Sequence, residues 1–126
     1  MLLSINDTDN IDSPALIVFP DIIKKNISRA IDMVGDANRL RPHVKTHKSP
    51  NVTRLMLDAG ISKFKCATIA EAEMLAQAEA PDVLLAYPLM GPKTRRFVEL
   101  VKSFPKTKFS CLIDHISSAK NAEEIF

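Results

Sequence analysis

The sequence predicts an α/β domain of parallel strands, and three observations carry that prediction. Short apolar runs rich in β-formers alternate along the chain with segments whose apolar residues recur every three or four positions. Proline and glycine punctuate the joins, so the connections are short. Of the 126 residues, 46% are hydrophobic and 25% charged, a balance that lets one domain bury its own core. Strands separated by helices of this length pair in parallel through helical crossovers.

The elements follow in order. "MLLSINDTDNIDSP" is polar and acidic where an export signal would be positive and then apolar, so no signal is expected. "ALIVF" (15–19) reads as a strand, closed by Pro20 and Asp21, which open a helix with Ile23, Ile27, Ala30, Ile31 and Val34 on one face. "LRPHVKTH" (40–47) reads as a second strand. Ser49 and Pro50 then supply an N-cap and a first-turn proline for a helix carrying Val52, Leu55, Met56 and Ala59, stopped by Gly60. "KFKCAT" (63–68) is the next strand, and Thr68 with Glu71 forms a Thr-x-x-Glu capping box. "DVLLAYPL" (82–89) is a strand ended by proline. Gly91 and Pro92 lead into a helix with Phe97, Leu100, Val101 and Phe104 on one face, "KFSCLID" (108–114) is a strand, and "HISSAKNAEEIF" is helical.

Open doubly wound sheets and closed barrels write the same alternation. Strand content favours the barrel. Arg41, His43 and Lys45 occupy alternate positions of one strand, as do Ser110 and Asp114 in another, and alternate residues share a face. A central strand of an open parallel sheet is apolar on both faces, whereas a barrel interior with an active site in its upper layer accommodates polar residues. Eight βα units take about 250 residues. The chain is therefore expected to be a truncated product or a fragment of a longer domain. Apolar Ile125 and Phe126, where a helix should be closing, agree with that expectation.

Several function classes are excluded. The net charge of +2, from 17 basic and 15 acidic residues, gathers neither nucleic acid nor anionic membrane. No apolar stretch approaches the roughly 20 residues that span a bilayer. Cys66 and Cys111 form no Cys-x-x-Cys pair, so a reducing, cytoplasmic setting is expected. With Gly35, Gly60 and Gly91 as the only glycines, no dinucleotide or phosphate-loop fingerprint is present.

"RPHVKTHK" (41–48) remains, with five basic or potentially basic side chains in eight positions. It is open to four readings: a solvated basic strand end, a nucleic-acid patch, a metal site built on His43 and His47, or a strand end presenting a reactive lysine. The nucleic-acid reading lacks an aromatic platform. The metal reading lacks a third ligand nearby, and Pro42 argues against the helix that would align the two histidines. In the last reading Lys45 sits at the C-terminal edge of a parallel strand, where α/β folds build their sites, and partial desolvation among cations would make its amine nucleophilic.

"RPHVKTHKSP", "KFKCATIAEAEMLAQA" and "DVLLAYPLMGPK" occur in order and together span most of residues 14–126. This series resembles the start of the D-threonine aldolase and D-serine dehydratase family, within the alanine racemase superfamily of pyridoxal-phosphate barrels. The resemblance implies the N-terminal half of a TIM (β/α)8 barrel, with residues 1–39 a leading strand and helix and 40–126 the first four βα units, Lys45 holding the cofactor as an internal aldimine and Lys48 displaced into the loop. It places His47 near the cofactor or substrate, and it implies an amino acid substrate and a homodimer; Tyr87, at the C-terminal end of its strand, is read from that position as bordering the pocket. A divalent metal would hold the substrate hydroxyl in the parent, with its ligands later in the chain, so none is assigned here. The fragment alone is expected to be inactive and to self-associate. The other reading is a non-catalytic pyridoxal-phosphate carrier of cofactor homeostasis. Glu71 and Glu73 are read as structural, Asp114 as a helix cap or an ion-pair partner, and Met33, Met56 and Met74 as core residues.

Overall fold

The computed structural model describes residues 8–125, Ile125 by its backbone. Residues 1–7 and Phe126 lie outside the described residues. Five helices and three strands follow one another: α1 (Pro20–Val34), α2 (Pro50–Asp58), β1 (Lys63–Cys66), α3 (Ile69–Gln77), β2 (Asp82–Pro88), α4 (Pro92–Ser103), β3 (Lys108–Leu112) and α5 (Ile116–Ile125). The strands are parallel in the order β1-β2-β3, with Lys63, Asp82 and Lys108 aligned in one row and Phe64, Val83 and Phe109 in the next. The predicted α/β class is what forms.

Strand alternation separates the two faces of this sheet. Phe64 and Cys66 of β1 and Val83 and Leu85 of β2 are buried, together with Ala72 and Leu75 of α3 and Phe97 and Leu100 of α4. Phe97 meets Phe109 edge to face, with ring centroids 5.9 Å apart. Burying each such side chain stabilises the fold by about 1.5–3 kcal/mol. The intervening positions, Lys63, Lys65, Asp82, Leu84, Lys108 and Ser110, are only partly covered or exposed.

Local signals set the helix boundaries. Ser49 Oγ accepts from the Val52 N–H at 3.4 Å, and Thr68 Oγ1 accepts from the Glu71 N–H at 3.1 Å. Gly60, at φ +90°, ends α2: its N–H donates to the Leu57 carbonyl while the Ile61 N–H donates to that of Met56. This paired closure needs a left-handed residue at Gly60.

Four expectations need correction. "ALIVF" (15–19) is no strand: Leu16, Ile17 and Val18 are 66%, 51% and 43% exposed, because among the described residues the segment pairs with nothing. "LRPHVKTH" (40–47) contributes a single parallel bridge, His43 to Lys65, before a 3-10 turn over Val44–Thr46. Pro42 has no N–H to extend the ladder, and the turn takes up the amides beyond it. At α5 the Ser117 N–H donates to His115 Nδ1, so His115 fills the place expected for Asp114. Met33 is 80% exposed, while Met56 and Met74 pack against the core as expected.

Candidate cofactor-lysine site

The site is built on the turn that carries Lys45. The Lys65 N–H donates to the Pro42 carbonyl at 2.8 Å, so residues 42–43 run beside β1 where a first barrel strand would lie. The chain then turns over Val44, which is fully buried and anchors the turn in the core. The Val44 carbonyl accepts from both the His47 N–H (3.2 Å) and the Lys48 N–H (2.8 Å). Lys48 is left-handed, φ +46°, a conformation that costs a residue with a Cβ about 1–2 kcal/mol. Its Nζ lies 3.0 Å from Glu71 Oε1 in the first turn of α3, which fixes the turn above the C-terminal end of β1.

Glu71 does more than cap. Its second oxygen accepts from the Ala67 N–H at 2.8 Å, one residue before the Thr68 amide that the capping box leads one to expect. The side chain is 5% exposed. Burial pushes its carboxyl up, but the Ala67 N–H, the Lys48 ammonium and the field of His43 together outweigh burial and hold it below the ordinary carboxylate range.

Two histidines flank the lysine. His43 Nδ1 accepts from the Lys45 N–H at 3.2 Å; burial, then Lys45 and Lys65, lower its pKa, so the ring stays neutral near pH 7. His47 Nδ1 accepts from the Ser49 N–H at 3.0 Å, and burial lowers its pKa as well. The proton of the neutral His47 ring therefore sits on Nε2, which is buried and has no partner among the described residues. Lys45 itself is exposed, so the expected partial desolvation of its amine is not met in this chain.

The rest of the basic cluster is largely paired. Arg41 Nη1 donates to Asp82 Oδ1 at 2.6 Å and to the Phe64 carbonyl at 3.2 Å. The Arg41 hydrogen bond lowers the Asp82 pKa against the effect of burial, and Lys108 and Lys63 add to it. With Arg41 and Lys48 engaged by carboxylates, the segment is not a free cationic patch. Among the described residues no three His, Cys, Asp or Glu side chains converge to hold a metal. Burial pushes the Cys66 thiol up to about 12, so it is unreactive.

Tyr87 lies at the C-terminal end of β2. It lines a cleft of ≈ 210 Å³ with Thr68, Ile69, Lys93 and Arg96, and the Lys93 ammonium lies 4.1 Å from its ring centroid. Sequence reasoning missed the Lys48–Glu71 and Arg41–Asp82 pairs. Their partners are far apart in the chain, and only the Thr-x-x-Glu pattern hinted that Glu71 had a fixed place.

A turn carrying Lys45 at the carboxyl edge of a parallel βα sheet has the layout of a βα domain of barrel type, whose strand ends are where such folds build their sites. The particular family follows from comparison. Residues 19–125 match the alanine racemase, N-terminal domain, and the chain belongs to that family. It is 31% identical over 111 residues to D-threo-3-hydroxyaspartate dehydratase from Delftia sp. (strain HT23), covering 87% of this chain and 29% of that protein. Its fold is similar to the crystal structure of D-threonine aldolase from Filomicrobium marinum, with TM-score 0.78, 28% identity, and coverage of 90% of this chain and 31% of that one. Both likenesses support a D-threonine aldolase-like relationship, and the three parallel strands and five helices among the described residues match the N-terminal part of the TIM-barrel fold of alanine racemase-like enzymes. The chain thus spans less than a third of the length of the proteins it matches.

Proposed function

We propose that this chain is the lysine-bearing part of a pyridoxal-phosphate-dependent enzyme that acts on D-amino acids bearing a β-hydroxyl, with Lys45 as the attachment point. The observation that carries the reading is the place of Lys45: an exposed amine on a turn held at the carboxyl edge of the sheet, in a chain whose family is pyridoxal-phosphate-dependent. His47, two residues beyond Lys45, fits the same group, because its buried Nε2–H has no acceptor among the described residues, and phosphate or ring oxygens would supply one. When bound, pyridoxal phosphate supplies an electron sink for the charge that develops at the substrate α-carbon. Lys45 would hold the cofactor covalently, and its amine, when free, would move a proton at the substrate α-carbon. His47 would donate a hydrogen bond from Nε2 while its Nδ1 goes on accepting from the Ser49 N–H, which needs the neutral ring.

Tyr87, at the C-terminal end of β2 with the Lys93 ammonium over its ring, would border the pocket. A divalent metal on the substrate hydroxyl finds no ligand set among the described residues, and its ligands would belong elsewhere in a longer protein. The chain alone is expected to be inactive, since it spans less than a third of the proteins it matches, and its exposed apolar side chains favour self-association. The free thiols Cys66 and Cys111 suit a reducing cytoplasm.

The test is turnover of D-threonine, D-serine and D-threo-3-hydroxyaspartate by a longer protein containing this chain, with pyridoxal phosphate added. Turnover abolished by Lys45→Ala supports the reading. Turnover that survives the substitution overturns it, and bound cofactor without turnover favours the carrier.

A further inference from the structure

We infer that Glu71 and Lys48 are positioning residues: their ion pair clamps the Lys45 turn onto the β1–α3 junction and so decides where the Lys45 amine is presented. The inference rests on the reading of Lys45 as the reactive lysine, and its geometry stands independently of that reading.

One carboxylate ties three elements together. Glu71 Oε2 takes the Ala67 N–H, the first amide after β1; the Glu71 backbone N–H is held by the Thr68 side chain at the start of α3; and Oε1 takes the Lys48 ammonium at 3.0 Å. Lys48 is only three residues from Lys45, and its backbone N–H shares the Val44 carbonyl with that of His47. Anchoring Lys48 therefore anchors the turn whose middle residue is Lys45. The next residue, Ser49, caps α2 and pins the far end.

The left-handed backbone at Lys48 shows that something holds this geometry. A residue with a Cβ stays at φ +46° only where its surroundings over-determine it. The surroundings here are the buried Val44 side chain, two amides on one carbonyl, and the ammonium on Glu71. Glu71 is buried while Lys48 is 65% exposed, so the clamp is a fixed anion reaching up to a solvated cation. That arrangement orients more than it stabilises.

A capping role alone is separable from the clamp. Glu71→Gln keeps an amide oxygen for the Ala67 N–H and loses the charge partner of Lys48. Lys48→Met removes the same pair from the exposed side and leaves Glu71 in place, and Lys48→Arg restores the charge.

The experiment is amide hydrogen exchange, residue by residue, on this chain and the three variants. The clamp predicts that the His47 and Lys48 amides exchange roughly three- to fivefold faster in Glu71→Gln and Lys48→Met. Amides of β2 and of α3 beyond its first turn should be unchanged, and Lys48→Arg should resemble the parent. Unchanged exchange at His47 and Lys48 in both variants overturns the clamp, as does a uniform acceleration along the whole chain. A second readout is the share of borohydride-trapped pyridoxal phosphate found on Lys45, expected to fall in the same two variants and to recover in Lys48→Arg. A parent chain with no preference for Lys45 would sink the functional reading, and the exchange rates would still decide the clamp.

Discussion

Two apolar runs of the same kind meet opposite fates in this molecule. "ALIVF" (15–19) carries three β-formers, Ile17, Val18 and Phe19, and "DVLLA" (82–86) only Val83, yet the second is a central strand and the first an unpaired, exposed segment. β2 has β1 on one side and β3 on the other, and α3 and α4 cover Val83 and Leu85. Residues 15–19 have no such neighbours among the described residues. The difference teaches that the strand signal in a sequence is fitness for a pleated, half-buried place, and the place has to be supplied by other elements.

The contrast breaks most directly by substitution. Phe64→Ala, at a fully buried position beside β2, should cost about 3–4 kcal/mol in urea unfolding and bring this chain near the limit of stability. Leu16→Ser in the exposed segment should change stability by no more than about 0.5 kcal/mol. Similar costs at the two sites would mean that residues 15–19 are packed after all.

The Arg41–Asp82 pair joins the segment before the Lys45 turn to the sheet, and its side chains are 31% and 20% exposed. Arg41→Met should cost about 1 kcal/mol, a figure already discounted for solvent screening. A double-mutant cycle with Asp82→Asn should recover part of that loss, and strict additivity would show that the pair does not couple.

Acid sharpens the same comparison. Asp82 and Glu71 titrate below their ordinary values in the folded chain, so the unfolded chain binds more protons in acid. Their contribution is present above the ordinary carboxylate range and is lost as the pH falls through the lowered folded-state values. His43 and His47 are also lowered, from 6.5, so below about that pH the unfolded chain gains protons first. Urea midpoints should therefore fall steadily from pH 7 downward, and a rise between pH 7 and 5.5 would contradict the assignment. The smallest effect is on association: Leu16→Ser should shift sedimentation modestly toward monomer, in keeping with the exposed apolar side chains of that segment.

Local chemistry was legible in the sequence wherever neighbours along the chain settle the matter. The Ser49 and Thr68 caps, the Gly60 stop and all five helices formed where spacing and capping residues placed them. Lys45 was singled out from an eight-residue string and stands on the expected edge. Contacts between distant segments were not legible. Lys48 and Glu71 are 23 positions apart and Arg41 and Asp82 are 41 apart, so no periodicity links them. "LRPHVKTH" carried a strand-like alternation, but Pro42 and the turn at Val44 reduced it to one bridge. Tyr87 was drawn to the pocket border by its strand-end position, and only the fold shows Lys93 lying against its ring.

The central claim, that this turn presents one lysine for covalent capture of an aldehyde cofactor, is tested most directly by site-resolved trapping. The chain is mixed with limiting pyridoxal phosphate, reduced with borohydride, digested and mapped by mass spectrometry, alongside Lys45→Ala. The account predicts an adduct concentrated on Lys45 in the parent chain and no replacement site of comparable yield in Lys45→Ala. Adducts distributed over the exposed lysines in proportion to their accessibility, unchanged at those sites by the substitution, would contradict it.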